Sequence, residues 1–152
     1  MSALQQFDLV IFGGTGDLAI RKLFPAMFYS HCDGTLPAGS RIFGLGSSRD
    51  IPLSDFLVKV KAGCEKFVDA ATFSEEKWQS FAQRIDFLRV NGLEPDTFQA
   101  LADKLVNSTA AAQVFYLSTP SEVFESICAN LHAVGLAKPS SRVVLEKPLG
   151  HD

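Results

Sequence analysis

A cluster of glycines, Gly13, Gly14 and Gly16 in the stretch GGTG, lies between an apolar run and a segment with helical spacing. The run before it, FDLVIF at 7–12, is nearly continuous in apolar, β-forming residues and predicts a strand buried on both faces. Apolar residues then recur at spacings of three and four, which predicts a helix over 17–31. Each glycine costs stability relative to alanine, so a cluster at this junction needs a physical reason.

The rest of the chain continues this alternation of strand and helix. Further strands are predicted at 41–46, 85–90, 114–117 and 142–145. Further helices are predicted over 56–68 with Ser54 as N-cap, over 74–83, over 97–106 and over 122–134. Pro25 falls inside the first helix and predicts either a bend or a helix that ends early and restarts. The order predicts an α/β fold, a Rossmann-like doubly wound parallel sheet with helices on both faces, as one domain over 1–152.

Composition excludes several classes of function. The chain has 152 residues and a formal net charge of −3, so it lacks the broad positive footprint of a nucleic-acid-binding protein. Its three cysteines, Cys32, Cys64 and Cys128, are widely spaced and predict free thiols in a reducing compartment. The N-terminus has no targeting pattern and no apolar run is long enough to cross a bilayer, so we expect a cytoplasmic protein without membrane contact. The three histidines are scattered without ligand spacing, so no metal site is expected.

The glycine cluster has the GxGxxA arrangement of a dinucleotide-binding turn, with Gly14, Gly16 and Ala19 at its three small positions. The first small residue permits a tight turn, the second brings backbone amides close to a pyrophosphate, and the third lets helix and strand pack closely. The helix N-terminus adds partial positive charge. The alternative is a glycine-rich turn that only joins a strand to a helix.

The loop after the second strand indicates which dinucleotide binds. NAD-binding units usually carry an acidic residue here, whereas this chain has Ser47, Ser48 and Arg49, followed by Asp50. A guanidinium beside two hydroxyls suits a 2′-phosphate, which favours NADP as cofactor. The alternative is that Arg49 is a solvated loop residue and that Asp50 contacts the ribose.

Glu146, Lys147 and Pro148 follow the last predicted strand, and their side chains would emerge at the carboxyl edge of the sheet. Lys147 could hold a substrate phosphate or hydroxyl, or it could form a solvated pair with Glu146. Ser118 and Thr119, in the loop after the fourth strand, could approach the cofactor, although Ser-Thr-Pro is also an ordinary turn sequence.

Four segments together, GGTGDLAIRKLFPA, SSR, YLSTP and RVVLEKPLGHD, resemble the N-terminal coenzyme domain of the glucose-6-phosphate dehydrogenase family over 7–152. The resemblance implies roles for two sets of residues. The first set, around the glycine turn, would wrap the coenzyme phosphates, and the second would line the nicotinamide half of the site. The first set is Gly13, Gly14, Thr15, Gly16, Asp17 and Leu18, and the second set is Ser118, Thr119 and Pro120.

By the same resemblance, Arg49 would hold the 2′-phosphate and Glu146 would lie near the nicotinamide. Lys147 would bridge the coenzyme and the sugar phosphate substrate, and the Lys147–Pro148 bond is a candidate cis peptide. Phe87 departs from the family pattern, because family members often carry Tyr near the coenzyme at this position. The missing hydroxyl puts only that one contact in doubt.

The family oxidises the C1 hydroxyl of glucose 6-phosphate to a lactone and passes hydride to NADP. The resemblance places the histidine general base, and the large β+α domain that completes the sugar site and forms the dimer, beyond residue 152. We therefore expect no catalytic residue in this chain. We expect an isolated coenzyme domain that binds NADP without turnover and belongs to a homo-oligomer when full-length.

Two rival interpretations remain at this point. The sugar oxidoreductases that include glucose-fructose oxidoreductase and inositol dehydrogenase also end their coenzyme domain in EKP, but Asp17 followed by LAxRKL argues against them. The chain could instead be a free-standing nucleotide-binding module, which a stop codon after Asp152 would favour. The EKPLGHD ending closes no obvious element of the fold and favours a truncated enzyme.

Overall fold

The computed structural model describes residues 5–146, which form a single five-stranded parallel sheet with helices on both faces. The strands are β1 (Phe7–Phe12), β2 (Arg41–Gly46), β3 (Ile85–Arg89), β4 (Ala112–Leu117) and β5 (Arg142–Leu145). The helices are α1 (Phe24–Cys32), α2 (Leu53–Phe67), α3 (Glu75–Ala82), α4 (Phe98–Leu105) and α5 (Phe124–Ala133). A π-helical turn (Ala19–Leu23) precedes α1, and 3₁₀ turns precede α4 (Pro95–Thr97) and α5 (Ser121–Val123).

The strand order is β3-β2-β1-β4-β5, which confirms the predicted Rossmann-like fold. The chain moves outward from β1 to β3 and then returns to the other side of β1 to form β4 and β5. The order reverses between β1 and β4, and an open α/β sheet binds ligands at the carboxyl ends of the strands beside such a switch point. The glycine turn and the Ser-Thr-Pro loop follow these two strands.

Each face of the sheet has its own apolar core. On one face, Leu9 and Ile11 of β1 pack with the phenylalanines of α1 and α2 and with Trp78 of α3. On the other face, Val10 and Phe12 of β1 pack with α4 and α5. Because alternate residues of β1 face opposite cores, its near-continuous apolar sequence is required by burial on both sides. Within residues 5–146, no helix has the length and apolar character needed to cross a bilayer.

Pro25 changes the hydrogen bonding of the first helix without breaking it. Leu23 and Phe24 both keep right-handed helical dihedrals, and the amide of Phe24 donates to the carbonyl of Ala19 in the π pattern. Proline has no amide hydrogen, so it is tolerated where the hydrogen-bond pattern changes. The expected restart is therefore a change from π to α bonding within one continuous helical segment.

The expected N-cap at Ser54 is wrong, because α2 begins at Leu53 with Pro52 as its N-cap. The carbonyl of Pro52 accepts hydrogen bonds from the amides of Asp55 at 3.0 Å and Phe56 at 3.2 Å. The fixed φ of proline suits the start of a helix, and this preference outweighs the capping preference of serine. The expected cap at Ser74 is confirmed, since its hydroxyl accepts from the amide of Lys77.

Gly44 in β2 makes room for the ring of Phe56. A Cβ atom at Gly44 would lie 2.3 Å from Cζ of Phe56, whose ring is fully buried and packs 4.9 Å, centroid to centroid, from Phe87. We expect Gly44→Ala to lower the free energy of unfolding by about 1–3 kcal/mol through overpacking, as measured by urea denaturation. Adding Phe56→Leu should recover part of the loss, and strictly additive effects of the two substitutions would contradict this account.

Arg84 ties together the loop before β2, the end of α1 and the start of β3. Its guanidinium donates to the carbonyls of Leu36, Pro37 and Ser40, and its Nε donates to Nδ1 of His31 at 2.9 Å. Burial, together with the charge of Arg84, lowers the pKa of His31 below its usual 6.5. Protonation would place a hydrogen on the Nδ1 that accepts from Arg84, so the fold requires a neutral ring.

This contact makes stability depend on pH in a definite direction. Because the pKa of His31 is lower in the folded state, the unfolded chain takes up its proton first as the pH falls below about 6.5. We expect the free energy of unfolding to decline on acidification from neutrality, and less steeply in His31→Asn, whose side-chain oxygen can still accept from Arg84. Urea denaturation at several pH values measures both slopes, and equal slopes would exclude His31 as the source.

Candidate functional site

Three glycines shape the turn after β1 in three different ways. Gly13 has a φ of +81°, a conformation that side chains other than glycine rarely adopt. Gly14 donates its amide to the carbonyl of Leu45 in β2 at 2.8 Å, and a Cβ there would lie 2.8 Å from Cα of Gly44. Gly16 donates to the carbonyl of Gly13 at 3.0 Å, and a Cβ there would meet only that oxygen.

The structure therefore corrects one role that the motif predicts. The left-handed residue of the turn is Gly13, whereas Gly14 is the position at which the turn packs against the β2 backbone. Gly16 has an open side, since a Cβ there would meet only one atom, and its approach to a pyrophosphate stays a prediction. Ala19 is fully buried and allows close packing of helix and sheet, also as predicted.

Backbone amides at this turn are unpaired. Within the described part of the chain, the amides of Thr15, Asp17 and Leu18 donate to no protein acceptor. They lie at the N-terminus of the continuous helical segment 19–32, where the helix dipole favours an anion. The Asp17 carboxylate, which would repel an anion, is exposed and lies 3.4 Å from the guanidinium of Arg21.

The loop after β4 is bonded to the same turn. The Ser118 amide and hydroxyl both donate to the carbonyl of Phe12, at 3.1 and 2.7 Å. A Cβ at Gly13 would lie 3.0 Å from the Ser118 hydroxyl oxygen, so the two loops touch. The hydroxyl oxygen of Thr119 is buried and has no hydrogen-bond partner among residues 5–146. Pro120 follows in extended conformation and starts the turn into α5.

A cavity of about 150 Å³ lies beside the end of β2 and contains Arg49. Its apolar lining includes Phe87, the residue at which the resemblance leads us to expect Tyr in family members. The sequence left Arg49 and Asp50 as alternatives for contact with the coenzyme at this loop. Of the two, only Arg49 lines the cavity. The polar lining consists of Thr15, Ser47, Ser48, Arg49 and Lys59.

Glu146, just after β5, accepts a hydrogen bond from the hydroxyl of Tyr116 in β4. The two strands are neighbours, and Tyr116 is in register with Val144. Burial and the hydrogen bond to Glu146 raise the pKa of Tyr116 to about 12. The phenol therefore remains a hydrogen-bond donor at neutral pH and holds Glu146 at the carboxyl edge of the sheet. Lys147, the residue expected to contact substrate, lies outside the described residues.

Sequence reasoning missed Tyr116 and Lys59 as parts of this edge. Tyr116 belongs to the quoted YLSTP segment, but only the strand register shows that it meets Glu146. Lys59 is one of several lysines on an amphipathic helix, and no spacing rule distinguishes it from the others.

The opposite edge of the sheet has a larger cavity of about 310 Å³, lined by Asp8, Arg41 and Lys104 among others. Each of these three charged side chains already has a partner in the protein. Asp86 lies 3.1 Å from Lys104 and 3.5 Å from Arg41, and the buried Asp8 carboxylate accepts from Ser108 and Gln113. Within residues 5–146, no cluster of three acidic, histidine or cysteine side chains could hold a metal ion.

The residues at the carboxyl edge fit a dinucleotide. Unpaired amides at a helix N-terminus suit a pyrophosphate, and the orphaned hydroxyl of Thr119 gives a ligand a polar partner. A Rossmann-like sheet with such a turn at its switch point defines a nucleotide-binding domain.

Comparison with known proteins identifies the family. Residues 10–152 match the family model described as "Glucose-6-phosphate dehydrogenase, NAD binding domain". The chain is 37% identical to glucose-6-phosphate 1-dehydrogenase of Mycolicibacterium smegmatis, over 99% of this chain and 31% of that protein. It is 36% identical to the Helicobacter pylori enzyme, over 96% of this chain and 32% of that protein. The chain belongs to the glucose-6-phosphate dehydrogenase family.

Solved structures agree with this assignment. The crystal structure of glucose-6-phosphate 1-dehydrogenase from Mycobacterium avium superposes with a TM-score of 0.84 at 30% identity, over 98% of this chain and 31% of that one. A glucose-6-phosphate dehydrogenase in complex with glucose-6-phosphate gives a TM-score of 0.82 at 26% identity, over 100% of this chain and 33% of that one. The chain thus spans about a third of the length of these relatives. The family match also decides between the two enzyme families that the sequence left open.

The contact between Tyr116 and Glu146 can be tested by titration. Replacing Glu146 with Gln removes the negative charge that opposes the phenolate, so the pKa of Tyr116 should fall from about 12. It should stay above the ordinary value of 10.0, because burial is the larger cause of the shift. NMR of ¹³C-labelled tyrosine over about pH 9–13, with Tyr116→Phe for assignment, measures the change. An unaltered titration in Glu146→Gln would show that the two groups do not meet in solution.

Proposed function

We propose that this chain is the coenzyme-binding part of a glucose-6-phosphate 1-dehydrogenase and that its coenzyme is NADP. The observation that carries the proposal is the pairing of a turn rich in unpaired amides with an adjacent cavity that contains Arg49. An anion-binding helix N-terminus suits the pyrophosphate, and a guanidinium beside Ser47 and Ser48 suits a 2′-phosphate. Membership of the family supports the activity.

Each part of the carboxyl edge has a separate task in this proposal. The amides of Thr15, Asp17 and Leu18 hold the pyrophosphate, and the glycines keep side chains out of its path. Ser118, Thr119 and Pro120 line the nicotinamide half, where the buried hydroxyl of Thr119 donates to the coenzyme. Glu146, held by Tyr116, borders the same half. NADP, when bound, supplies the hydride-accepting ring.

In the whole enzyme, the reaction is oxidation of the C1 hydroxyl of glucose 6-phosphate to a lactone, the first step of the pentose phosphate pathway. This step needs a base that takes the hydroxyl proton as hydride leaves C1. The described histidines do not lie at the coenzyme edge. His31 and His132 are near the C-terminal ends of α1 and α5, and helices that connect parallel strands end at the opposite edge. Within residues 5–146, neither histidine is therefore placed to act as this base, and we propose that the chain binds NADP without turnover.

Two further parts of the proposal concern the whole protein. The cysteines Cys32, Cys64 and Cys128 are free, which accords with a reducing compartment, and we propose a cytoplasmic location. We also propose that Lys147 contacts the sugar phosphate and that the full-length protein is a homo-oligomer.

Calorimetric titration of the chain with NADP and with NAD tests the coenzyme assignment. We expect tighter binding of NADP, and we expect Arg49→Ala to weaken NADP binding by roughly tenfold or more because a charge-assisted phosphate contact is lost. Binding of NAD should change less than about twofold, because NAD has no 2′-phosphate.

Asp50→Asn is the matched control, since it alters the neighbouring residue of the same loop. It should leave NADP binding intact. If Asp50→Asn weakens NAD binding while Arg49→Ala changes neither affinity, Asp50 contacts the ribose and the assignment of NADP is wrong.

A further inference from the structure

Lys59 shares the cavity with Arg49 although the two residues come from different elements. Arg49 lies in the loop after β2, whereas Lys59 lies in the second turn of α2. Both side chains are exposed, and neither forms an ion pair within residues 5–146. Two cations without acidic partners therefore border one small polar cavity.

Packing on both sides of Lys59 fixes where its backbone lies. One turn before it, Phe56 is fully buried against Phe87, which also lines the cavity. One turn after it, Gly63 lies so close to the turn preceding α1 that a Cβ there would be 2.6 Å from the carbonyl oxygen of Ile20. The helix is thus packed against the segment that follows the glycine turn, and Lys59 lines the same cavity as Thr15.

The charge of the expected ligand exceeds what one guanidinium can neutralise. A phosphate monoester carries about −1.5 to −2 near neutral pH, with three acceptor oxygens. Arg49 supplies one positive charge, and the hydroxyls of Thr15, Ser47 and Ser48 supply neutral donors. The protein as a whole is negatively charged, with a formal net charge of −3, so attraction of an anion has to be local.

We infer that Lys59 is the second cation of the 2′-phosphate site and that it sets, together with Arg49, the preference for NADP over NAD. This inference rests on the proposed function, because it requires that NADP binds at this turn. Lys59 would thus be a residue that determines coenzyme specificity but lies in α2, outside the loop that contains Arg49.

The same helix provides a matched control. Lys66 lies seven residues after Lys59, on the same face of α2. It borders the adjoining open groove together with Lys59, but it does not line the cavity that contains Arg49. Its ammonium lies over the Phe67 ring, 5.4 Å from the centroid. Lys66→Gln therefore removes the same charge from the same helix face without altering the cavity.

The experiment is calorimetric titration with NADP and with NAD. The proteins compared are the unaltered chain and its three variants Lys59→Gln, Lys59→Arg and Lys66→Gln. We expect Lys59→Gln to weaken NADP binding by roughly five- to tenfold and to change NAD binding by less than about twofold. Lys59→Arg should retain most of the preference, and Lys66→Gln should change NADP binding by less than about twofold. The difference in NADP affinity between Lys59→Gln and the unaltered chain should shrink at about 0.5 M salt, because the phosphate charge is then screened.

The outcomes separate this inference from the proposal on which it rests. If the unaltered chain prefers NADP and Lys59→Gln binds it within about twofold of the unaltered chain, Lys59 is a solvated surface residue and the inference is overturned. Equal losses of NADP affinity in Lys59→Gln and Lys66→Gln would overturn it too, since they would reflect the overall positive charge of α2 and not a contact made by Lys59. If the unaltered chain binds NAD as tightly as NADP, or binds neither, the proposed coenzyme is wrong for this chain, and the inference is rejected with it. An unchanged melting temperature in each variant excludes misfolding as the cause.

Discussion

The contact between the glycine turn and β2 determines the geometry of the whole carboxyl edge. Gly14 donates its amide to the carbonyl of Leu45 at 2.8 Å, at a separation from the β2 backbone that leaves no space for a side chain. This contact holds the turn over the end of β2, so Thr15 borders the cavity that contains Arg49. On its other side the turn touches Ser118 through Gly13. The amides left unpaired are thereby fixed between the two loops that would hold the ends of a dinucleotide.

The two edges of the sheet differ in how their polar groups are hydrogen-bonded. At the amino edge, Arg84 bonds to three carbonyls and to His31, and Asp86 is paired with Lys104 and Arg41. At the carboxyl edge, backbone amides and the hydroxyl of Thr119 lack protein partners within residues 5–146. Buried polar groups are normally satisfied, so the buried, unpaired hydroxyl of Thr119 marks the edge at which a ligand would supply the missing partner. The amino edge stabilises the fold, and the carboxyl edge is the candidate site.

Much of the fold could be predicted from local pattern. The bounds of β1 and β2 agree with their apolar runs, because a strand covered on both faces must be apolar along its length. The bounds of β5 also agree with its apolar run, although all four of its residues are exposed. Predictions that depended on one residue's preference were less secure. Ser54 has the side chain of a good N-cap, but the carbonyl of Pro52 accepts the first amides of α2 and starts the helix earlier. The roles of the glycines were also only partly predictable, because Gly13 and Gly14 differ in which neighbour lies beside them.

The sequence by itself determined the class of fold, the position of the glycine turn and the presence of Arg49 in the loop after β2. These are local properties, since periodicity, glycine spacing and loop composition can be recognised within a few residues. Only the tertiary structure decided that Tyr116 meets Glu146 and that Lys59 borders the Arg49 cavity. Strand register and the packing of Gly63 against Ile20 set those contacts, and both depend on residues distant in the chain. A side chain's partner across a sheet or beneath a helix follows from packing, which no single segment encodes.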